Sequence, residues 1–213
     1  MKPWKTLGEA IAPGGAKLVL QQRDDEYAIR VDGHSLMNSR SNGSEKAMAE
    51  AGCSRLANAK SPRVLIGGLG MGFTLRAALD LLPSSAVVEV AENSQAVIDW
   101  NRGVLAPLAR APLGDSRVTV TPRDVRKALQ IGKYDAILLD VDNGPTAITR
   151  DSNDSLYDLG GISQLRAAMK PKGTLVVWSA GPDASFVKRL NSAGFTASSR
   201  PVLRHTLFVA SAE

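Results

Sequence analysis

The sequence contains little of what disulfide or zinc chemistry requires. A single cysteine, Cys53, cannot form an internal disulfide bond, and the presence of only two histidines, His34 and His205, argues against a structural zinc site. No apolar run approaches the length of a membrane span, and the residues from Met1 to Lys5 lack the apolar core of a signal peptide. We therefore expect a cytoplasmic protein with no metal and no membrane partner.

The chain also lacks a concentrated positive charge, although its net charge is +5. Most lysines and arginines are scattered singly, and the few that come close together include Lys170 with Lys172 and Lys188 with Arg189. Without a basic run or an aromatic-interleaved ribbon, this pattern favours a solvated surface over a nucleic-acid face. A steep salt dependence of RNA or DNA binding would instead indicate nucleic-acid modification.

With 213 residues, of which 44% are hydrophobic, the chain is long enough for one substantial core and a small appendage. We expect the appendage at residues 1–58 and the main domain at residues 59–213. Because a small β extension cannot hold a core alone, it should pack on the main sheet or form a homodimer with a second copy. Its predicted elements are a hairpin of Lys17–Gln21 and Tyr27–Val31, a third strand at Ser35–Ser39 and a helix at Ser44–Ala57.

Strands and helices alternate after residue 59. This alternation predicts an α/β fold, with a doubly wound, mostly parallel, seven-stranded sheet of Rossmann-like type. Binding sites in such sheets lie at the carboxyl ends of the strands. The predicted strands are Arg63–Ile66, Ala86–Ala91, Arg117–Thr121, Tyr134–Asp140 and Thr174–Ser179, followed by an antiparallel pair, Phe195–Val202 and His205–Ala210; the predicted helices are Phe73–Leu82, 94–103, Val125–Ile131, Ser155–Met169 and Ala184–Ser192.

A glycine-rich loop joins the first predicted strand to the first helix of the main domain. Glycines there allow a sharp turn and a close approach to a ligand at the N-terminal end of a helix. The spacing Gly68-x-Gly70-x-Gly72 lacks the third glycine of a dinucleotide fingerprint, and no phosphate-binding loop is present. It resembles the first motif of S-adenosylmethionine-dependent transferases, whose loop wraps the methionyl and ribose portions of the cofactor. The alternative is that the glycines only shape the turn.

Acidic residues follow the other predicted strands. Glu92, after the second strand, can accept hydrogen bonds from both hydroxyls of a ribose. Asp124, after the third strand, either caps the next helix or contacts adenine. Asp140 and Asp142 follow the fourth strand, where an acid can orient a nucleophile or act as a general base, although Asp140 could also serve only as a turn residue.

These motifs, taken in order, resemble the spermidine synthase (polyamine aminopropyltransferase) family. The resemblance rests on the glycine loop, on Glu92 and on three runs, Asp115-Ser116-Arg117-Val118, Arg123-Asp124-Val125 and the strand that ends at Asp140. It implies a class I S-adenosylmethionine-dependent methyltransferase fold that uses S-adenosylmethionine or its decarboxylated form. The cofactor-binding residues that it implies are Gly68, Gly70, Met71, Gly72, Glu92, Asp124, Val125 and Asp140.

Two departures from the family pattern concern its acids. The family's loop acid aligns with Met71, and the second acid after the fourth strand aligns with Asn143, while Asp142 can replace it if the loop shifts by one residue. Because polyamines are cations that several carboxylates must pair with, these changes weaken the case for spermidine as product. We therefore expect transfer of an aminopropyl or methyl group to a small acceptor, an amine among the candidates, with Asp140 and Asp142 as catalytic residues. The alternative is a non-catalytic nucleotide-binding or scaffold protein.

Overall fold

The chain forms two β-sheets. A computed structural model describes residues 2–141, 145 and 154–213. The N-terminal sheet is antiparallel, and its strands are adjacent in the order in which they follow in the chain. They are β1 (Lys5–Ile11), β2 (Lys17–Arg23), β3 (Glu26–Val31) and β4 (His34–Asn38).

Strand β1 lies outside the predicted hairpin. It is an edge strand, most of its residues are at least partly exposed, and its pairing with β2 shifts register between Thr6 and Gly8. Its sequence, KTLGEAI, lacks the regular apolar alternation that predicts a strand. A side chain at Gly8 would collide with Trp100, because a Cβ there would lie 2.7 Å from the Nε1 atom of that indole.

The second sheet is mostly parallel, which confirms the predicted fold class. Its strands are β5 (Arg63–Gly67), β6 (Val87–Glu92), β7 (Val118–Pro122), β8 (Tyr134–Leu139), β9 (Met169–Ser179), β10 (Phe195–Val202) and β11 (His205–Ala212). They are arranged in the order β10-β11-β9-β8-β5-β6-β7, and β11 is antiparallel to both of its neighbours. The carboxyl ends of β5, β6, β8 and β9 consequently meet at one edge.

Helices connect these strands. They are α1 (Gly43–Cys53), α2 (Phe73–Leu81), α3 (Gln95–Arg102), α4 (Val125–Leu129), α5 (Asp154–Tyr157), α6 (Leu159–Ala168) and α7 (Ala184–Ser192). The prediction of one helix over Ser155–Met169 was wrong. Asp158 interrupts it, because its Oδ1 accepts a hydrogen bond from the Gly161 N–H at 2.7 Å and so begins α6 as a new helix.

Alternate residues of the central strands enter cores on opposite faces of the large sheet. Val64 and Ile66 of β5 pack with residues of α1, α2 and α3, whereas Leu65 packs with residues of α4, α6 and α7. Leu20 and Ile29 of the N-terminal sheet belong to the first of these cores. The small sheet is thus held by apolar contacts with the main sheet's own core. None of the helices in the described part of the chain is both long and apolar enough to cross a membrane.

Candidate functional site

The glycine loop lies at the carboxyl end of β5 and has a backbone that most side chains would disfavour. Gly68, Gly70 and Gly72 have φ values of +87°, +52° and +79°. Gly68 also lies against the end of β8, since a Cβ there would be 2.2 Å from the carbonyl oxygen of Asp140. Glycine is therefore required at position 68 both for its conformation and for its close contact with the neighbouring strand.

Glu92 joins the end of β6 to this loop. Its Oε2 accepts a hydrogen bond from the Leu69 N–H at 2.9 Å, and its Oε1 accepts one from the Ser94 N–H at 2.8 Å. The side chain is buried, with 8% of its residue surface exposed. A buried carboxylate that bonds two backbone N–H groups has a fixed position and orientation at the loop.

Two residues at the loop were missed by the sequence interpretation. The Nδ2 of Asn101, on α3, donates to the Gly70 carbonyl at 2.8 Å, and the residue is 1% exposed. Met37, on β4, also packs against the loop, since a Cβ at Gly70 would lie 2.9 Å from its Sδ and Cε atoms. Asn101 follows Trp100 in a polar helix end, and nothing in its local pattern indicates that it supports a loop 31 residues away.

Asp140 follows β8 beside Gly68. Its backbone N–H donates to the Gly67 carbonyl at 2.9 Å, which fixes the start of the segment after β8. The side chain is half-buried, and removal from water raises the pKa of Asp140 to about 7, with a further contribution from the negative charge of Glu45. A carboxyl group with such a pKa can accept or release a proton near neutral pH.

Asp124 caps α4. Its Oδ1 accepts from the Arg126 N–H at 2.8 Å, and its carboxylate forms an ion pair with the Arg126 guanidinium at 2.6 Å. The hydrogen bond from Arg126 is the main cause that lowers the pKa of Asp124. The next residue, Val125, is buried against β5, because a Cβ at Gly67 would lie 2.8 Å from its Cγ2. A contact between Asp124 and adenine stays a prediction.

Replacing Asp124 with alanine is expected to lower the free energy of unfolding by about 1 kcal/mol, because the cap and the ion pair are both lost. Asp124→Asn keeps a capping oxygen and should cost only about 0.3–0.5 kcal/mol. Because the folded-state pKa is lowered, this stabilisation is present above the unfolded pKa of about 3.9 and disappears as the pH falls through the lower folded value.

Urea denaturation of both Asp124 variants measures these differences. Equal destabilisation by Asn and Ala would contradict the capping role.

The remaining predicted site residues are placed differently. The Met71 side chain is fully buried in the core that contains Ile66, so the loop presents backbone and not a side chain at this position. Asp142, the predicted second catalytic acid, and Asn143 lie outside the described residues. The structure thus brings together the loop glycines, Glu92, Val125 and the backbone of Asp140, and Asp124 immediately precedes Val125.

Among the comparisons with known proteins, only the comparison of structures finds similar proteins. No family model matches the chain, and no curated protein sequence matches it. The chain is similar in structure to spermidine synthase from Thermotoga maritima, with a TM-score of 0.76 and 16% sequence identity over 98% of this chain and 73% of that chain. It is also similar to a spermidine synthase in complex with the transition-state analogue AdoDATO, with a TM-score of 0.75, 16% identity and the same two coverages. The chain therefore has the class I methyltransferase-like fold of these spermidine synthases.

Proposed function

We propose that this chain is a transferase that binds an S-adenosyl cofactor and transfers an aminopropyl or methyl group to a small acceptor. The observation that supports this most strongly is the joining of three features at one sheet edge. The glycine loop is hydrogen-bonded to Glu92 and lies against the backbone carbonyl of Asp140. The residues proposed to bind the cofactor and to accept the proton thus follow neighbouring strands, which supports a reaction that must hold its partners close together.

The residues of the loop fit an S-adenosyl cofactor. Helix α2 begins after Gly72 without a side-chain cap, so the first N–H groups of the helix have no side-chain acceptor of their own at that end. Glu92 bonds Leu69 and Ser94, and its carboxylate is the group that we propose to accept hydrogen bonds from the ribose hydroxyls. The buried Met71 leaves the loop without the carboxylate that the resemblance leads one to expect there.

Asp140 is the proposed general base. When bound, an S-adenosyl cofactor supplies a carbon attached to a sulfonium, whose bond to sulfur breaks with its electron pair remaining on sulfur. The acceptor loses a proton from its attacking nitrogen or oxygen, and the Asp140 carboxylate takes that proton. A pKa of about 7 suits this task, since half of the carboxyl groups are then ionised at neutral pH.

Calorimetric titration of the protein with S-adenosylmethionine and, in parallel, with its decarboxylated form tests the proposal. The two compounds differ by one carboxylate, so their relative affinities report whether the Met71 loop accommodates a zwitterionic or a cationic end. Tighter binding of the first would make methyl transfer the reaction to assay, and tighter binding of the second would favour aminopropyl transfer. Absence of heat with both would refute the proposal and favour the scaffold alternative.

Replacing Glu92 with alanine is expected to weaken cofactor binding roughly 10- to 150-fold, the equivalent of about 1.5–3 kcal/mol for charge-assisted hydrogen bonds. The loop N–H of Leu69 also loses its acceptor, so the thermal midpoint should be recorded alongside the titration.

Asp99→Ala is the matched control for Glu92→Ala, because it removes an exposed carboxylate from α3 without touching the loop. Unchanged affinity in a folded Glu92→Ala protein would mean that this acid does not contact the cofactor.

A further inference from the structure

Trp178 is an accessible aromatic side chain at the end of a buried strand. The three residues before it on β9, from Leu175 to Val177, are fully buried, and so is Ser179 after it, whereas part of the Trp178 surface is exposed. The His205 ring of β11 packs on the indole, with 4.6 Å between the ring centroids and 46° between the ring planes. His205 is also partly exposed. The two rings form an accessible aromatic surface, the Trp178–His205 pair.

The Trp178–His205 pair lies beside the segment that carries Asp140. Strand β9 is parallel to β8, and Leu139 pairs with Val177. The residues that follow these two, Asp140 and Trp178, are therefore side by side on neighbouring strands. The hydrogen bond from the Asp140 N–H to the Gly67 carbonyl shows that the ladder continues one residue past β8. Asp140 thus still follows the register of the sheet.

Both side chains belong to the face of the large sheet that α1 covers. Leu138 and Val176, the residues two positions earlier on β8 and β9, lie in the core on that face. A Cβ at Gly52 of α1 would be 2.8 Å from a methyl carbon of Leu138. Side chains two residues apart on a strand point to the same face. Since Asp140 and Trp178 are both partly exposed, they border one accessible area at the carboxyl edge of the sheet.

The surface beyond the pair carries positive charge. Arg204 directly precedes His205 in the chain. Arg200, on β10, donates to the Ala47 carbonyl of α1, and Lys46 is the residue before Ala47. The side chains of all three cations are exposed. A ligand that extends from Asp140 over the aromatic pair therefore meets a basic rim, which favours a neutral or negatively charged group at that end.

The acids of α1 do not reverse this charge. Glu45 is 6% exposed, and its Oε2 accepts a hydrogen bond from the Ser44 hydroxyl at 2.7 Å. Glu50 is the exposed acid of the helix, and it lies one turn beyond the exposed Lys46. A diamine requires a negative partner for each of its two ammonium groups, and the exposed cations of the rim outnumber Glu50. The charges thus disfavour a polyamine as the compound that the pair binds.

We propose that the Trp178–His205 pair holds the acceptor of the transfer reaction and that this acceptor is a planar aromatic compound, neutral or negatively charged. This rests on the proposed function. An aromatic ring stacks favourably on an indole, and a hydroxyl or amino group on that ring then reaches Asp140. This group attacks the carbon bound to the sulfonium, and the carbon–sulfur bond breaks with its electron pair remaining on sulfur. The proton of the attacking group goes to Asp140.

The indole N–H signals of the isotope-labelled protein in NMR report binding directly. The chain has three tryptophans, and replacing each by phenylalanine assigns its signal. Trp4 lies against the Arg23 guanidinium and Trp100 lies beside Gly8, so both are internal controls away from β9. With and without S-adenosylmethionine, we expect para-hydroxybenzoate and para-aminobenzoate to shift the Trp178 signal and to leave the other two in place. If neither compound shifts the Trp178 signal, the proposal is wrong.

Two further probes separate the aromatic ring from its substituents and from charge. The saturated analogue, para-hydroxycyclohexanecarboxylate, has the same substituents on a puckered ring, and we expect it to bind roughly 2- to 10-fold more weakly than para-hydroxybenzoate. Equal affinities would show that a planar ring is not recognised. Diaminobutane tests the amine alternative, and tighter binding of this diamine than of both aromatic compounds would overturn the proposal.

Trp178→Leu should weaken binding of para-hydroxybenzoate about 10-fold, whereas Trp178→Phe should retain most of the affinity. Trp100→Phe is the matched control and should bind as the protein does. Unchanged affinity in a folded Trp178→Leu protein would contradict the proposal. Calorimetry with the two cofactors distinguishes the failures. If a cofactor binds but no aromatic probe reaches Trp178, only the acceptor assignment fails. If the probes bind but neither cofactor does, the proposed function fails, and with it the acceptor role of the pair.

Discussion

Asp140→Asn is expected to lower the rate of group transfer about 10²- to 10⁴-fold, the usual contribution of a general base. Asparagine has nearly the same shape, so the loop and the Gly68 contact should be preserved. Single-turnover kinetics at saturating cofactor separates this effect from binding, because a lost base lowers the rate of the chemical step while the cofactor still binds. A variant that retains the full rate would show that Asp140 is only a turn residue.

Asp140→Asn should lower the rate of transfer but raise the stability of the fold at alkaline pH. Because the folded-state pKa of Asp140 is raised to about 7, its contribution to stability is present below the unfolded pKa and is lost as the pH rises through about 7. Asparagine cannot ionise, so the variant should be more stable than the protein at pH 8, by on the order of 1–3 kcal/mol. The difference should vanish near pH 4, about the unfolded pKa of an aspartate. Urea denaturation at the two pH values measures it, and equal stabilities at pH 8 would mean that Asp140 is well solvated.

Gly68→Ala is expected to destabilise the fold by about 2–5 kcal/mol. The left-handed backbone of this residue costs a side chain about 1–2 kcal/mol, and overpacking typically adds about 1–3 kcal/mol. The new methyl group would lie 2.2 Å from the Asp140 carbonyl oxygen, a backbone atom that cannot rotate away. In a chain of this size, the loss corresponds to a fall of roughly 5–15 °C in the thermal midpoint.

Gly14→Ala is the matched control for Gly68→Ala, because no atom lies within 4 Å of a Cβ at Gly14 and its φ is not positive. Scanning calorimetry of both variants should show a large difference between them. If Gly68→Ala unfolds at the temperature of the control, the loop must be able to move away from β8. The conclusion that position 68 requires glycine would then be wrong.

Most local elements were predictable because their patterns are local. Helix α7 spans Ala184–Ser192 as predicted, since Asp183 caps it and its apolar residues recur at helical spacing. Strand β10 likewise has the predicted bounds, Phe195–Val202. The prediction fails at Met169, which was expected to end a helix, and at residues 170–173, which were expected between that helix and the next strand. All of them belong to β9, because pairing with β8 begins at Tyr134. Such pairing depends on a partner strand distant in sequence, which no window of neighbouring residues contains.

The sequence by itself determined the α/β fold and the glycine loop, because apolar periodicity and backbone sterics act between neighbouring residues. It also indicated Glu92 and Asp140, since residues that follow parallel strands must meet at one edge. Only the tertiary structure decided that Met71 is buried and that Asn101 holds the Gly70 carbonyl. Burial and hydrogen bonding depend on distances through space between residues far apart in the chain, and folding sets those distances.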